Sequence, residues 1–338
     1  MNAPDTAVDH SLTLPLPSAT ADAGAPAEPP HGDDFVQLNL PSVDQPWNYA
    51  WAFVRTAVTG WRGSHRLHSR APQHYRASVQ VSPRLERRWR ALFDVPARAC
   101  KRVPLLTNQS VSTLMVSQLF ADLGINLRQL SHVQHRTAHH ADVATCARAC
   151  SQELQCHVKR ILRLGEDRVL VEVQIQVRDT RGQLLSQVDD GFVVGGLPPC
   201  DLAGLPSDRN LLRELLGLRR RLPRLSVSEG DALVSEMPVQ GSMGRAYGRL
   251  SGDVNPVHMG CLGAWLFGLK RPLLQGLALR NLVVRHLVEL GAPVERLRLT
   301  LAAPAVLGQS LLLVLSGHEF EVQDAQGRLV AFGTNAAA

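Results

Sequence analysis

Residues 1–54 contain neither lysine nor arginine. A secretory signal needs a positively charged start and a transit peptide is arginine-rich, so the N-terminal stretch reads as neither. No uncharged apolar run among the 338 residues is long enough to cross a bilayer. Aromatics make up only 5% of the chain and are not interleaved with its basic runs. That leaves no stacking platform for nucleic acid, and no nucleic-acid-binding motif is present. The six cysteines, Cys100, Cys146, Cys150, Cys156, Cys200 and Cys261, form no disulfide framework and include no Cys-x-x-Cys pair. A chain of this length needs no such staples, and a reducing, cytoplasmic location is the expectation. Cys146, Cys150, Cys156 and His157, with His139 and His140 nearby, invite comparison with a zinc site. Their intervals are irregular, so no metal is expected and they read as small half-buried residues on strands and turns.

What is present points to an ordinary globular interior. Hydrophobic residues are 45% of the chain, ample for a core, and the length suggests two domains. Residues 1–34 are rich in Ala, Pro, Asp and Thr and read as a disordered tail. The aromatic segment that follows, around residues 47–61, reads as a packed covering segment or as a partner-facing or membrane-surface patch. The net charge of +6 is unevenly placed, with arginine dense from Arg62 to Arg90 and again from Arg219 to Arg224. Such runs are either solvated faces or surfaces that attract phosphates or an acidic carrier protein.

The body of the chain reads as a duplication. Val169, Val171, Val173, Ile175 and Val177 alternate with Leu170, Glu172, Gln174, Gln176 and Arg178, the period of a strand with one buried face. A turn at Asp179 to Gly182 leads into a second strand. The spacing Val177-x-Asp179-x-x-Gly182-x-Leu184 recurs as Val322-x-Asp324-x-x-Gly327-x-Leu329. Each half has a helix ahead of these strands, over 110–123 in the first and 276–290 in the second. Residues 294–301 and 309–315 then read as strands. The plan is α+β, with residues 35–200 as one domain, 201–224 as a basic connector and 225–338 as a second domain.

The chemistry concentrates in one run from Tyr247 to His258. It places a carboxylate, Asp253, five residues before an imidazole, His258, with Asn255 and Pro256 between them. Gly252 and Pro256 interrupt any continuous helix here, so a loop can turn both side chains toward one point. A carboxylate and a neutral imidazole sharing one water form a proton-transfer device. Cys261 lies three residues further on but has no base of its own and reads as a small filler. Trp265, Leu266 and Leu269 have helical spacing and read as core or as the wall of a substrate tunnel.

The run Ser251-Gly-Asp-Val-Asn-Pro-Val-His258, followed by Arg271-Pro-Leu-Leu-Gln-Gly276, resembles the MaoC-like hydratases and dehydratases with two hot-dog domains, in which a sheet wraps around a central helix. The resemblance is good over residues 225–335 and extends to 75–200 by plan and length alone. It implies a cofactor-free (R)-specific hydration of trans-2-enoyl thioesters, or the reverse dehydration, on CoA or an acyl carrier protein. Asp253 and His258 would hold the water, and the Gly276 N–H would polarise the thioester carbonyl. Asn255, Tyr247, Ser251 and Gln275 would line or shape the substrate site, with Tyr247 equally readable as a core ring. Gln275 stands where that family commonly has histidine, and the first half lacks the motif, as it does in two-domain members. A non-catalytic acyl-thioester-binding scaffold and a thioesterase are the alternatives. Both a monomer with pseudo-dimeric halves and a homodimer are compatible with the pattern.

Overall fold

The computed structural model describes residues 35–38, 67–68, 74–80, 83–96, 99, 103, 108–126, 129–141, 151–218, 221–225 and 232–337. The N-terminal tail, the aromatic segment at 47–61, Cys100, Cys146, Cys150, Arg219 and Arg220 lie outside them. Among the described residues no helix is long and apolar enough to cross a membrane.

Two copies of one plan follow each other. The first half runs β1 (Val36–Gln37), β2 (His74–Gln80), α1 (Pro83–Leu92), α2 (Gln109–Asp122), β3 (Leu130–His139), β4 (Ser151–Arg163), β5 (Val169–Asp179) and β6 (Leu184–Val194). A short 3-10 turn (Pro199–Leu202) and α3 (Arg209–Gly217) connect it to the second half. That half runs β7 (Leu233–Val239), α4 (Met243–Ser251), α5 (Pro256–Met259), α6 (Cys261–Leu266), α7 (Gly276–Glu289), β8 (Arg296–Leu301), β9 (Gln309–Ser316), β10 (Glu319–Asp324) and β11 (Leu329–Ala336).

The strand order is β1-β2-β4-β5-β6-β3-β8-β11-β10-β9-β7. The order β2-β4-β5-β6-β3 on one side is thus mirrored by β7-β9-β10-β11-β8 on the other. The two sheets are continuous, because β3 pairs antiparallel with β8, with Gln134 opposite Thr300 and Ala138 opposite Arg296. Among the described strands, pairing is antiparallel except for the short β1–β2 pair. The duplicated turn repeats bond for bond. Asp179 Oδ1 accepts from the backbone N–H groups of Arg181 and Gln183, as Asp324 Oδ1 does from Gln326 and Arg328. Gly182 and Gly327 hold φ of 80° and 71°, a left-handed conformation that side chains with a Cβ resist.

Each sheet wraps one helix. In α7 the buried residues include Ala278, Leu279, Leu282, Val283, Val284, Leu287 and Val288, which surround the helix axis rather than forming a stripe. Helix α2 is enclosed similarly by Val111, Leu114, Met115, Leu119 and Phe120, yet its buried set also includes Gln109, Ser110, Ser112 and Ser117. Both sequence-expected helices are present within a residue at each end.

Two strands, β2 and β7, were not expected from the sequence, although Tyr75, Ala77 and Val79 of β2 alternate as buried positions with polar neighbours. β7 contains Pro238, which an edge strand tolerates because its missing N–H faces no partner. β2 lies in the arginine-dense stretch. The connector is more than a linker. Helix α3 is capped by Asp208, whose side chain accepts from the Asn210 and Leu211 N–H groups. Its Leu211 and Leu215 cover Leu162, Leu164 and Leu170, so β5 is buried on both faces over its first part rather than on one. There Glu172 is paired with Arg160 at 2.7 Å.

Several basic residues have structural partners. Arg221 lies 3.7 Å above the centre of the Phe332 ring, and the backbone N–H of Arg224 donates to the Glu321 carboxylate. Arg84, Arg87 and Arg88 occupy the exposed face of α1, opposite the buried Leu85 and Trp89.

Two buried histidines make the fold acid-sensitive. Burial, with the nearby Arg280 charge adding to it, holds His139 down at about 3. Burial and the Arg285 charge hold His286 at about 4. His286 ties α7 to β7 by bonding Ser235 through Nδ1 and Arg285 through Nε2, an arrangement that suits the neutral ring. Both groups are depressed below the unfolded value of 6.5, so the unfolded chain binds the extra protons. Their contribution is complete above pH 6.5 and is lost as pH falls toward the folded values. Each histidine should cost about 1.4 kcal/mol of stability per pH unit across that window. Urea denaturation at pH 7 and at pH 5 should show the midpoint falling, and the fall should shrink in His139→Gln. A midpoint that stays constant would contradict it.

Candidate active site

The chain reaches the motif by ending a helix early. Helix α4 stops at Ser251 because Gly252 turns left-handed at φ 77°, and the next residues thread through a series of short side-chain-to-backbone bonds. Ser251 Oγ accepts from the Asp253 N–H at 3.2 Å, Asp253 Oδ1 from the Asn255 N–H at 3.3 Å, and Asn255 Oδ1 from the Val257 N–H at 3.3 Å. Asn255 thereby caps α5, with Pro256 at its first position. His258 therefore stands on a short helix rather than on the loop itself.

The loop brings the two groups together. His258 Nδ1 lies 2.9 Å from the Leu273 carbonyl oxygen, which can only accept, so Nδ1 carries the proton and Nε2 presents its lone pair. Nε2 is 3.9 Å from Asp253 Oδ2, too far for a direct hydrogen bond and suited to a bridging water. The side chains are 15% and 26% exposed, within reach of solvent but not open to it. Both line a cavity of about 430 Å³.

Gly276 begins α7 and lines the same cavity. No hydrogen bond from its N–H to the rest of the described structure is formed, as befits the first residue of a helix. A Cβ there would stand 2.7 Å from Leu301 Cδ1 and 3.1 Å from His132 Nδ1, so the space belongs to backbone alone.

The remaining sequence-expected residues are less alike than the motif suggests. Gln275 is 2% exposed, and its Nε2 donates to the Gly244 and Asp253 carbonyl oxygens at 3.0 and 3.4 Å. Its amide is therefore committed to holding the Asp253 loop against α4, although its flank touches the cavity. Ser251 is fully buried and does not line the cavity, so its role is to fix the Asp253 backbone rather than to touch a substrate. The Tyr247 ring packs edge-on against Trp89 and Phe93 with one edge at the cavity. Burial holds its hydroxyl well above the usual phenol range, with the Asp253 charge adding to it. Cys261, Leu262, Trp265 and Leu266 are exposed rather than core. The other face of α6 is pressed onto α5, where Gly263 lets the Pro256 carbonyl approach, so these side chains turn outward.

The first half contributes residues that no sequence pattern indicated. Gln109, Ser112, Thr113 and Ser117 of α2 line the cavity, as do His132 of β3 and Asp190 of β6. Asp190 Oδ1 accepts from His132 Nε2 at 2.9 Å and from His135 Nδ1 at 2.7 Å. Burial pushes the Asp190 carboxyl up, but the His135 and His132 charges and hydrogen bonds outweigh it and hold the group well below the usual carboxylate range. Burial lowers His135, whose Nε2 accepts from Thr137. Buried Arg280 is pulled down to about 10 by desolvation, against which Tyr247 and Asp190 work.

His132, His135 and Asp190 are close enough to suggest a metal triad. The bonding argues otherwise. His132 Nε2 is also 2.9 Å from the Gln134 carbonyl oxygen, so it carries a proton and has no lone pair to offer an ion. Of the cysteines once weighed as ligands, Cys156 is wholly buried on β4, where burial raises its thiol far above the usual range.

Comparison with known proteins agrees on the fold. No family model and no curated protein matches the chain by sequence. Among solved structures, a MaoC-like dehydratase aligns with a TM-score of 0.58 at 15% identity over 80% of this chain and 99% of its own. HtdX of Mycobacterium tuberculosis aligns at 0.57 and 14% identity, over 78% and 98%. The MaoC-like dehydratase of Phytophthora capsici aligns at 0.56 and 17% identity, over 79% and 97%. The chain thus has the double hot-dog fold of the MaoC-like dehydratases.

Replacing Gln275 with leucine removes both loop bonds and leaves two carbonyl groups without that donor. Gln275→Leu should lose about 1–3 kcal/mol of unfolding free energy, read by urea denaturation. An unchanged midpoint would mean that the loop is held without it.

Proposed function

We propose that the chain is a hydro-lyase that reversibly hydrates trans-2-enoyl thioesters to (R)-3-hydroxyacyl thioesters, carried by CoA or an acyl carrier protein. The observation that carries the proposal is the pairing of Asp253 Oδ2 with the bare His258 Nε2 across 3.9 Å at a cavity that Gly276, the first residue of α7, also lines. The fold shared with MaoC-like dehydratases supports it.

The geometry lends itself to one sequence of steps. Both Asp253 and His258 Nε2 are acceptors, so a water between them donates one hydrogen bond to each and turns an oxygen lone pair outward. That oxygen adds to C3 of the enoyl group while one of the pair takes its proton. Electron density moves through C2 to the thioester oxygen, which meets the Gly276 N–H and the positive end of α7. A proton then returns to C2, and the neutral 3-hydroxyacyl thioester leaves. Dehydration runs the same path backward. No cofactor is required in this scheme.

Purified protein mixed with crotonyl, octenoyl and dodecenoyl-CoA should show loss of the enoyl absorbance, and chiral analysis should give the (R) alcohol. Asp253→Asn keeps the shape but loses the proton acceptor, and should lower kcat by roughly 10²–10⁴-fold with little change in KM. Full activity in that variant would remove Asp253 from the chemistry. Release of free thiol without hydration would instead identify a thioesterase, and saturable binding without either product a scaffold.

A further inference from the structure

The hydratase reading employs only the second half, yet the first half places a histidine against Gly276. His132 is fixed from behind. Its Nε2–H is shared by Asp190 Oδ1 and the Gln134 carbonyl oxygen, both at 2.9 Å, and its ring stacks on Phe192 with centres 4.8 Å apart. Asp190 is held in turn by His135 at 2.7 Å, so the whole assembly is anchored in the interior of the first half. These contacts fix the ring plane and leave Nδ1 as the atom that faces outward. Nδ1 makes no hydrogen bond within the described structure, and it stands 3.1 Å from the point where a Cβ on Gly276 would be. His132 and Gly276 line the same cavity as Asp253 and His258.

We propose that His132 is a further catalytic residue, supplied by the first half, whose Nδ1–H joins the Gly276 N–H in binding the thioester oxygen. The proposal rests on the hydratase reading. In this role the ring is an imidazolium, and the Asp190 carboxylate behind it balances the charge, as a buried carboxylate does for an imidazole in a hydrolase triad. The ring donates a hydrogen bond and transfers no proton. When water adds at C3 and charge builds on the thioester oxygen, two donors meet it instead of one, and both were oriented beforehand. His135 and Asp190 are positioning residues that act through His132. The arrangement also gives the first half a chemical part to play although it lacks the Asp-x-Asn-Pro-x-His motif.

The test compares His132→Phe, which keeps the stacked ring but has no donor, with His132→Asn, whose amide N–H₂ can stand near the position of Nδ1. With an enoyl-CoA that wild type hydrates, His132→Phe should lower kcat by roughly 10²–10³-fold and change KM less than about threefold. His132→Asn should recover at least about tenfold of that loss. A second measurement is independent of turnover. Carbon-13 at the thioester carbonyl, bound to the Asp253→Asn chain, should move downfield in NMR as the carbonyl is polarised. Adding His132→Phe should remove a large part of that displacement while the thioester still binds saturably, which also shows that the variant folds.

Wild-type turnover with undiminished kcat in His132→Phe, or an unchanged carbonyl signal, would overturn the role of His132 and leave the hydratase reading standing. A wild-type chain inert toward short, medium and long enoyl thioesters would overturn both.

Discussion

The pairing of β3 with β8 is the constraint on which the cavity depends. Each five-stranded sheet wraps its own helix, but the halves share one core, in which α2 packs against α4 and the Tyr247 ring stands edge-on to Trp89 and Phe93. Joining the sheets edge to edge does something burial alone does not. It removes two exposed strand edges, each a row of unpaired backbone donors and acceptors. It also brings β3 beside the N-terminus of α7, so His132 of one repeat meets Gly276 of the other. The backbone ladder thus positions side chains from sequence neighbourhoods more than a hundred residues apart.

Duplication explains both the plan and its unevenness. The matching turns at Asp179 and Asp324 show how closely the scaffold is repeated, down to the same two backbone donors on the same carboxylate oxygen. The helices have diverged in what they bury. Apolar side chains surround α7 almost completely, with Arg280, Asn281 and His286 as its buried polar members. α2 instead sends Gln109, Ser112 and Ser117 toward the cavity or its surroundings. Burying polar groups costs stability unless they are bonded, and α2 bonds two of these locally: Gln109 donates to Thr113 Oγ1 and Ser117 to the Thr113 carbonyl. A polar wall opposite the Asp253–His258 pair is therefore a built feature of the first half.

Much of this was legible in the sequence, for identifiable reasons. The central helices and inner strands are governed by local periodicity, and both repeats of the Asp-x-x-Gly turn are short and rigid. The motif was legible because its bonds are also local: Ser251 to Asp253, Asp253 to Asn255 and Asn255 to Val257 each span two residues. What the sequence hid was everything decided across long separations. The His132–Asp190 bond spans 58 residues and joins two strands that pair only in the folded sheet. β7 hid behind Pro238, and the connector helix could not be seen to cover β5 because Leu170 looked like the exposed half of an alternating strand. The outward turn of Trp265 and Leu266 follows from the close approach at Gly263, which no periodicity encodes.

Gln275 shows how a departure from a pattern is to be weighed. Read from spacing alone, an uncharged residue ahead of Gly276 could have meant a lost titrating group at the reacting centre. In the fold its amide faces inward, and both of its donors are taken by carbonyl groups of α4 and the Asp253 loop. A group in that position acts on the site through the placement of Asp253, and a permanent neutral donor serves that purpose at any pH. A histidine there would offer one donor when neutral and would need its second proton to bind both carbonyls. Glutamine supplies two donors without a charge, so it is compatible with a loop held in one position under the proton exchange proposed for His258.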